Sequence, residues 1–377
     1  MSDKKSLRFI GLAIGFGIFL LLPFADQFLG LSSGVRQSEN RRLEGFPRFH
    51  WPHVGTFAKQ FDRYYKENFG FRNALFYTYS RWKLRVLNES PLPEKVIVGH
   101  DNWLYLGNSY NRVIDQHRGL IPLSADSAQI IGQNLVGYQN QLASQGRKLY
   151  VFIAPDSHTI YPEYLPSEMQ VSDRPSRLDV LSQYVTRNTN LPFIDVRDTL
   201  RKAKAKHVVY YQTDTHWNDY GTLVGCASLL NRIHHDFGNV PAAQLANYQI
   251  ARTKGVGGDL VQMLMLENVI KDKVFYDIKP LISVAARQLA EVPDTVTGRA
   301  RSGFPSLRFA GANAKGPKLL LIGDSFSHSM TQFLPGYFRE SYFVRTSRFD
   351  PALVQAEQPD IVVIEIVERN LDWLARF

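Results

Sequence analysis

The 377-residue chain contains a single cysteine, Cys226. No intramolecular disulfide can form, so an oxidising compartment is neither required nor excluded. No low-complexity tract interrupts the sequence, which argues against a fibrous or largely disordered protein. Lys and Arg outnumber Asp and Glu by 44 to 35, a net charge of +9, yet no Lys/Arg-rich run of recognition length and no nucleic-acid motif is found. Nucleic acid is therefore not the expected partner. The charge suits a uronic-acid polysaccharide or anionic lipid headgroups equally well. Gly255-Val256-Gly257-Gly258-Asp259-Leu260 has the look of a phosphate loop. It lacks the Lys-Ser/Thr ending and follows no convincing strand, so it reads as a turn into a helix. What remains is ordinary globular composition, 44% apolar and 12% aromatic. The aromatics fit core packing, with sugar stacking as the functional alternative. The length suggests one large domain plus an extension.

That extension starts at the N-terminus. Lys4, Lys5 and Arg8 precede an uncharged run from Phe9 to Ala25. With its flanks to Leu31 the run approaches the roughly 20 residues that cross a bilayer, although Asp26 interrupts it. Basic residues ahead of the run favour a cytoplasmic N-terminus. We read 1–8 as a cytoplasmic tail and 9–31 as a transmembrane signal anchor. A cleaved signal peptide is the competing reading, but no clear Ala-x-Ala site follows and Ser32-Ser33-Gly34 is a weak substitute. Either way the globular part is exported. Residues 32–94 read as a connecting region with its own structure. In it Phe57, Phe61, Tyr64 and Tyr65 recur at helical spacing, followed after a break near Gly70 by Leu75, Tyr79 and Trp82. This stripe is expected to pack on the main domain, with a membrane-surface helix as the alternative.

From Lys95 onward the pattern is α/β. Val96-Ile97-Val98 and Trp103-Leu104-Tyr105-Leu106 flank Gly99–Asn102 and predict a hairpin. Ala125–Gln145 and Leu178–Thr186 read as helices. Leu149–Ile153, Phe193–Val196, Val208–Tyr211, Lys318–Ile322 and Asp360–Ile366 read as strands. Strands alternating with helices imply a mainly parallel sheet covered on both faces, a three-layer α/β/α sandwich. The polar stretch Lys271–Gly316, with β-like Leu281–Val284, reads as an insertion beside the active site.

Two stretches carry chemistry. In Lys318–Met330 a strand, Gly323 and a helix start would lift Ser325 out of the sheet to a helix N-terminus, where free N–H groups favour negative charge. A simple N-cap is the plain alternative. A serine needs a base, and Asp214-Thr215-His216 offers one: an Asp two residues before a His can take the imidazole Nδ1–H and leave Nε2 for the serine. Both stretches follow strand-like runs, so both are expected at the C-terminal edge of the sheet. His328, about one turn beyond Ser325, is the rival base but would tend to point away. His158 reads as structural or peripheral. Arg369, after the last strand, could bind a substrate carboxylate or oxyanion, or simply make a surface ion pair.

DTHWNDYG and GDSF, together with Glu39–Arg42, Glu67–Asn73 and Val98–Leu106, resemble the alginate O-acetyltransferases of the AlgJ/AlgX type, a branch of the SGNH hydrolase superfamily. The resemblance runs from about Glu39 to the C-terminus. It implies an SGNH hydrolase-like domain over 95–377, with Ser325 as nucleophile, His216 as base, Asp214 as its orienting carboxylate and Arg369 near the substrate. The serine follows the Asp/His pair here, opposite to ordinary SGNH enzymes and like the permuted acetyltransferase branch.

The resulting expectation is a polysaccharide O-acetyltransferase with an acetyl-serine intermediate and no cofactor or metal. It would sit in the bacterial inner membrane with its catalytic domain in the periplasm. The resemblance further implies a polysaccharide acceptor, a membrane-bound acetyl donor protein and the polysaccharide secretion assembly as partners. An acetylesterase would use the same residues, because ester hydrolysis differs only in the resolving nucleophile. A metallophosphoesterase would need further His, Asn and Asp ligands that are not found. A non-catalytic, membrane-tethered scaffold is the remaining alternative.

Overall fold

The apolar runs centred on Leu149–Ile153, Lys318–Ile322 and Asp360–Ile366 are buried almost throughout, the mark of strands covered on both faces. In the computed structural model residues 2–34, 43–170, 173–272, 275–289, 306–346 and 348–376 are described. The motif at 39–42 and the part of the expected insertion at 290–305 lie outside the described residues. The chain divides into two compact units, one of Met1–Pro93 with Val261–Ile270, the other of Glu94–Leu260 with Lys271–Phe377.

The first unit is helical. Helix α1 (Ser2–Leu29) contains Arg8–Gln27, a stretch of 20 residues long and apolar enough to cross a membrane. Helices α2 (Val54–Asn68) and α3 (Arg72–Trp82) follow, and a π-helical turn, Lys83–Leu87, extends α3.

The second unit is built on strands β1 (Val96–Val98), β2 (Leu104–Leu106), β3 (Lys148–Ala154), β4 (Phe193–Asp195), β5 (Tyr248–Thr253) and β6 (Phe275–Pro280). They are followed by β7 (Ala286–Gln288), β8 (Leu307–Gly311), β9 (Lys318–Gly323), β10 (Glu340–Arg345) and β11 (Ile361–Val367). β1 and β2 form the expected hairpin, with Val96 opposite Leu106, and β5 pairs with β6. The main sheet has seven strands in the order β4-β3-β11-β9-β10-β8-β7. The first five are parallel, while β8 and β7 add antiparallel at one edge.

The helices after residue 94 are α4 (Val113–His117), α5 (Ala125–Ala143), α6 (Ser157–Ile160), α7 (Arg177–Asn188), α8 (Arg197–Ala203) and α9 (Asp219–Asp236), then α10 (Asp259–Met263), α11 (Phe326–Met330) and α12 (Pro351–Glu357). Their starts are set by polar caps. Ser124 Oγ accepts the Ser127 N–H at α5, and Ser176 with Asp179 forms a capping box at α7. Because side chains alternate along a strand, Leu149, Val151 and Ile153 pack on one face with Leu135 and Leu181 of α5 and α7. Phe152 points to the other face and meets Trp217 edge-on at 6.1 Å. The result is the three-layer α/β/α sandwich.

Two sequence expectations are corrected. Val208–Tyr211 is not a strand of the sheet. Tyr210 makes one isolated antiparallel bridge to Trp217, and the Val208 and Val209 carbonyls accept from Asn218 instead. The Asp-x-His stretch is thus the tip of a closed loop and not the continuation of a sheet strand. The Lys271–Gly316 stretch is not simply an insertion, since β7 and β8 extend the main sheet. Within it Leu281–Val284 is turn, flanked by the strands β6 and β7.

Candidate active site

β3, β11 and β9 are parallel neighbours, so their C-terminal ends share one edge. Asp156 follows β3, Asp324-Ser325 follows β9 and Glu368-Arg369 follows β11. Asp324 fixes the turn that carries Ser325. Its Oδ1 accepts the Phe326 N–H (3.0 Å), and its Oδ2 accepts the Val367 N–H (2.9 Å) and Asn370 Nδ2 (3.3 Å). The Asp324 N–H donates to Glu365 Oε2 at 3.0 Å. Glu365 is fully buried. Burial, reinforced by the Asp324 charge, pushes its carboxyl well above the usual range.

The histidine arrives on a different scaffold. The Asn218 side chain caps α9 by accepting the Gly221 N–H at 2.9 Å and donates to the Val208 carbonyl at 2.7 Å. Trp217 Nε1 donates to Ser329 Oγ at 2.8 Å, and Thr222 Oγ1 donates to the same oxygen at 3.0 Å. These bonds lock the start of α9 to α11. They bring His216 Nε2 to 2.8 Å from Ser325 Oγ across 109 positions of sequence. On the other side of the ring, His216 Nδ1 lies 2.7 Å from Asp214 Oδ1, which also accepts the His216 backbone N–H at 3.0 Å. The three residues singled out from the sequence therefore form one continuous relay. The His216 side chain keeps 29% of its surface, enough for a substrate to reach it.

The electrostatics suit a base. Burial opposes the imidazolium, but the Asp214 hydrogen bond and charge outweigh it and leave His216 above its ordinary value. Burial opposes the Asp214 carboxylate too, but the bond and charge of His216 together with the backbone N–H groups of Asp259 and His216 outweigh it, holding the acid below its ordinary value.

A fourth residue, Asp259, completes the site. Its backbone N–H donates to Asp214 Oδ2 at 2.9 Å. Its carboxylate accepts the Thr215 N–H (2.8 Å) and the Thr215 hydroxyl (2.6 Å), and stands 3.9 Å from His216 Nδ1. Burial, followed by the charge of Asp214, raises the Asp259 carboxyl. Gly258 makes this approach possible, since a Cβ there would stand 2.5 Å from the Asp214 Cβ. Sequence reasoning saw this loop only as a failed phosphate motif. The 44 positions between Thr215 and Asp259 carry no spacing signal that could have found it.

Arg369 is turned inward, its side chain keeping 11% of its surface. Its guanidinium pairs with the buried Asp156 and lies 5.5 Å from the ring centroid of Phe326, the residue after Ser325. Glu368 accepts the Asp156 N–H (3.1 Å) and the Thr159 hydroxyl (2.6 Å). His158 is buried, bonded through Nε2 to the Leu106 carbonyl (3.0 Å), and pushed down to about 3 by burial and by His117, so it stays neutral. His328 is exposed on α11, one helical turn from the relay.

Among the described residues, two groups have metal-compatible donors within 4.8 Å of one another: Asp214, His216 and Asp259, and His117, Asp156 and Glu368. In the first, both imidazole nitrogens are engaged, one by Asp214 and one by Ser325. In the second, the Arg369 cation already pairs with Asp156. Hydrogen bonding and ion pairing account for both arrangements.

A family model described as the SGNH hydrolase-like domain of acetyltransferase AlgX matches residues 96–363. The probable alginate O-acetylase AlgJ of Pseudomonas putida is 23% identical, over 88% of this chain and 92% of its own. Its Pseudomonas aeruginosa counterpart is 25% identical over 62% of this chain and 55% of its own. Bacillus cereus PatB1 carrying a sulfonyl adduct superposes with a TM-score of 0.55 at 14% identity, over 73% of this chain and 95% of that one. At that identity the likeness speaks for the fold alone.

Proposed function

The chain belongs to the family of SGNH hydrolase-like acetyltransferases of the AlgX type, and from that membership we propose that it acetylates hydroxyls of an exported uronate polysaccharide, alginate or a similar polymer, through Ser325. The observation that carries the reading is the pair of distances at His216, 2.8 Å to Ser325 and 2.7 Å to Asp214. Ser325 Oγ attacks the acetyl carbonyl of the donor while His216 Nε2 takes the hydroxyl proton. Collapse of the tetrahedral intermediate returns that proton to the leaving group and leaves an acetyl ester on Ser325. A sugar hydroxyl then gives its proton to His216, attacks the acetyl-serine, and departs as the acetylated product when His216 reprotonates Ser325. Asp214 holds the imidazole tautomer throughout. Arg369 contributes positive potential beside the acyl carbonyl and toward the acceptor's carboxylates.

In this reading α1 is an uncleaved anchor in the bacterial inner membrane, and the second unit works in the periplasm. The donor is a membrane-bound acetyl carrier protein, and the acceptor chain is handed over by the polysaccharide secretion assembly. The net charge of +9 favours a polyanionic acceptor.

The test supplies full-length protein in detergent with a small acetyl ester and a mannuronate-rich oligosaccharide. A mass gain of about one acetyl group per product is expected, with uronate acceptors outperforming neutral glucans. Free acetate as the sole product, whatever the acceptor, identifies an acetylesterase instead.

A further inference from the structure

Among the described residues, the stretch that follows α1 carries exposed apolar surface. None of the residues of α2 is buried. Val54, Phe57, Phe61 and Tyr65 share one face of it, and the charged opposite side carries Lys59, Arg63, Lys66 and Glu67, with Lys66 paired to Asp62 at 2.7 Å. Phe46 and Phe49, from the preceding segment, stack edge-on against Phe61 and Phe57 at 6.0 and 5.4 Å and widen the aromatic face. Beside them Trp51 is 79% exposed. On α3 and its π-helical extension, Leu75, Tyr79, Trp82 and Val86 recur at three- and four-residue steps and are all exposed. Large exposed aromatic faces of this kind mark an interaction surface.

The position of this surface says what it meets. The 20-residue span Arg8–Gln27 is about 30 Å long as a helix, the thickness of a bilayer's hydrocarbon core. Asp26 and Gln27 therefore emerge at its polar boundary. The corner between α2 and α3 is fastened at that point. Asp26 Oδ2 accepts the Phe71 N–H at 2.7 Å, and Gln27 Nε2 donates to the Asn68 carbonyl at 3.0 Å. Gly70 sits so close to α1 that a Cβ would lie 2.0 Å from the Pro23 carbonyl oxygen. The corner is thus held level with the headgroups. Residues 43–93 hold eight Lys/Arg against four Asp/Glu, a positive balance that complements anionic lipid. An aromatic face, a charged opposite face and a fixed position at the end of a membrane helix together describe an interfacial element.

We propose that α2 and α3 lie on the lipid surface of the bilayer that α1 crosses, with their aromatic faces in the headgroup region of anionic phospholipids. The consequence is geometric: the linker from α1 is not a free tether, and the membrane surface itself fixes where the chain leaves for the catalytic unit. The inference rests on α1 spanning a membrane and is independent of the acyl-transfer reading.

Tryptophan fluorescence tests it in a Trp373→Phe background, because α1 contains no tryptophan, Trp103 and Trp217 are buried, and Trp373, 37% exposed, would otherwise report from outside this region. Full-length protein is reconstituted into vesicles of phosphatidylethanolamine and phosphatidylglycerol at about three to one, with nitroxides at the headgroup or mid-chain, or with aqueous iodide. Headgroup nitroxide should quench emission about twofold more than mid-chain nitroxide or iodide. The Trp51→Phe/Trp82→Phe double variant should lose that excess while keeping small-ester hydrolysis. Equal quenching by headgroup nitroxide in this background and in the double variant overturns the proposal. So does shielding of Trp51 and Trp82 from iodide without lipid quenching, which identifies a protein cover. Protein absent from the vesicle pellet overturns it by removing the anchor it depends on. Loss of acetyl transfer with the fluorescence pattern intact overturns only the enzymatic reading.

Discussion

The backbone N–H of Asp259 donates to the oxygen of the Asp214 carboxylate that His216 leaves unused, at 2.9 Å. One oxygen of Asp214 thus orients the base, and the other is pinned by a loop far along the chain. The Asp259 side chain returns to the same loop by accepting both the N–H and the hydroxyl of Thr215. The relay is consequently supported from both sides, and each support is open to test.

Ser325→Ala should leave folding intact and reduce acetyl transfer and small-ester hydrolysis together by about 10⁴-fold or more. Only the hydroxyl 2.8 Å from His216 is lost. Retention of ester hydrolysis at the wild-type rate in folded protein would remove Ser325 from the reaction.

His216 must be neutral to act as base, and its pKa is held above the ordinary value chiefly because Asp214 outweighs burial. Activity should therefore rise with pH through an acid limb above the usual histidine range. In Asp214→Asn the carboxylate is gone and burial prevails, so the limb should move to lower pH. The maximal rate should fall by about 10³–10⁴-fold from loss of the tautomer. A limb that stays in place in this variant means that another group titrates there.

Asp259→Ala should lower kcat about 10–100-fold with little change in KM, because it loosens the relay without touching substrate. The acid limb should move the same way as in Asp214→Asn but less, since Asp259 is the smaller electrostatic support of the imidazolium. Asp259→Asn, which keeps one acceptor for Thr215, should recover part of the rate. A KM effect in place of a kcat effect would make Asp259 a substrate contact.

Arg369→Met strands the buried Asp156 carboxylate and should cost about 3–5 kcal/mol of stability. Adding Asp156→Asn should restore much of that stability, read as the denaturant midpoint, while activity stays low. Recovery of activity along with stability would show that Arg369 acts only through the packing of its ion pair.

Burial raises the Glu365 carboxyl well above its unfolded value. The folded state therefore binds the proton more tightly, and stability is lost as pH rises past the range where an unfolded glutamate ionises. Glu365→Gln removes this dependence. Its Tm should match the wild type at pH 4 and exceed it at pH 8, by roughly 2–4 °C per kcal/mol for a domain of this size class. An unchanged difference across pH would mean that Glu365 is already ionised.

Ser325, His216 and Asp214, and the layers that carry them, were legible from local patterns. Gly323-Asp324-Ser325 directly follows an apolar run, Asp214 and His216 are two residues apart, and both facts are local. A strand buried on both faces shows as a continuous apolar stretch, which made β3, β9 and β11 legible. What only the tertiary structure decided depends on contacts with no fixed spacing. Asp259 supports the relay across 44 positions, and Arg369 turns inward to Asp156 instead of outward to solvent. Val208–Tyr211 looked like a strand because it is apolar, yet the Asn218 cap takes carbonyls that a sheet ladder would need. Whether an apolar run joins a sheet depends on which partners claim its backbone hydrogen bonds, and those partners come from remote parts of the chain.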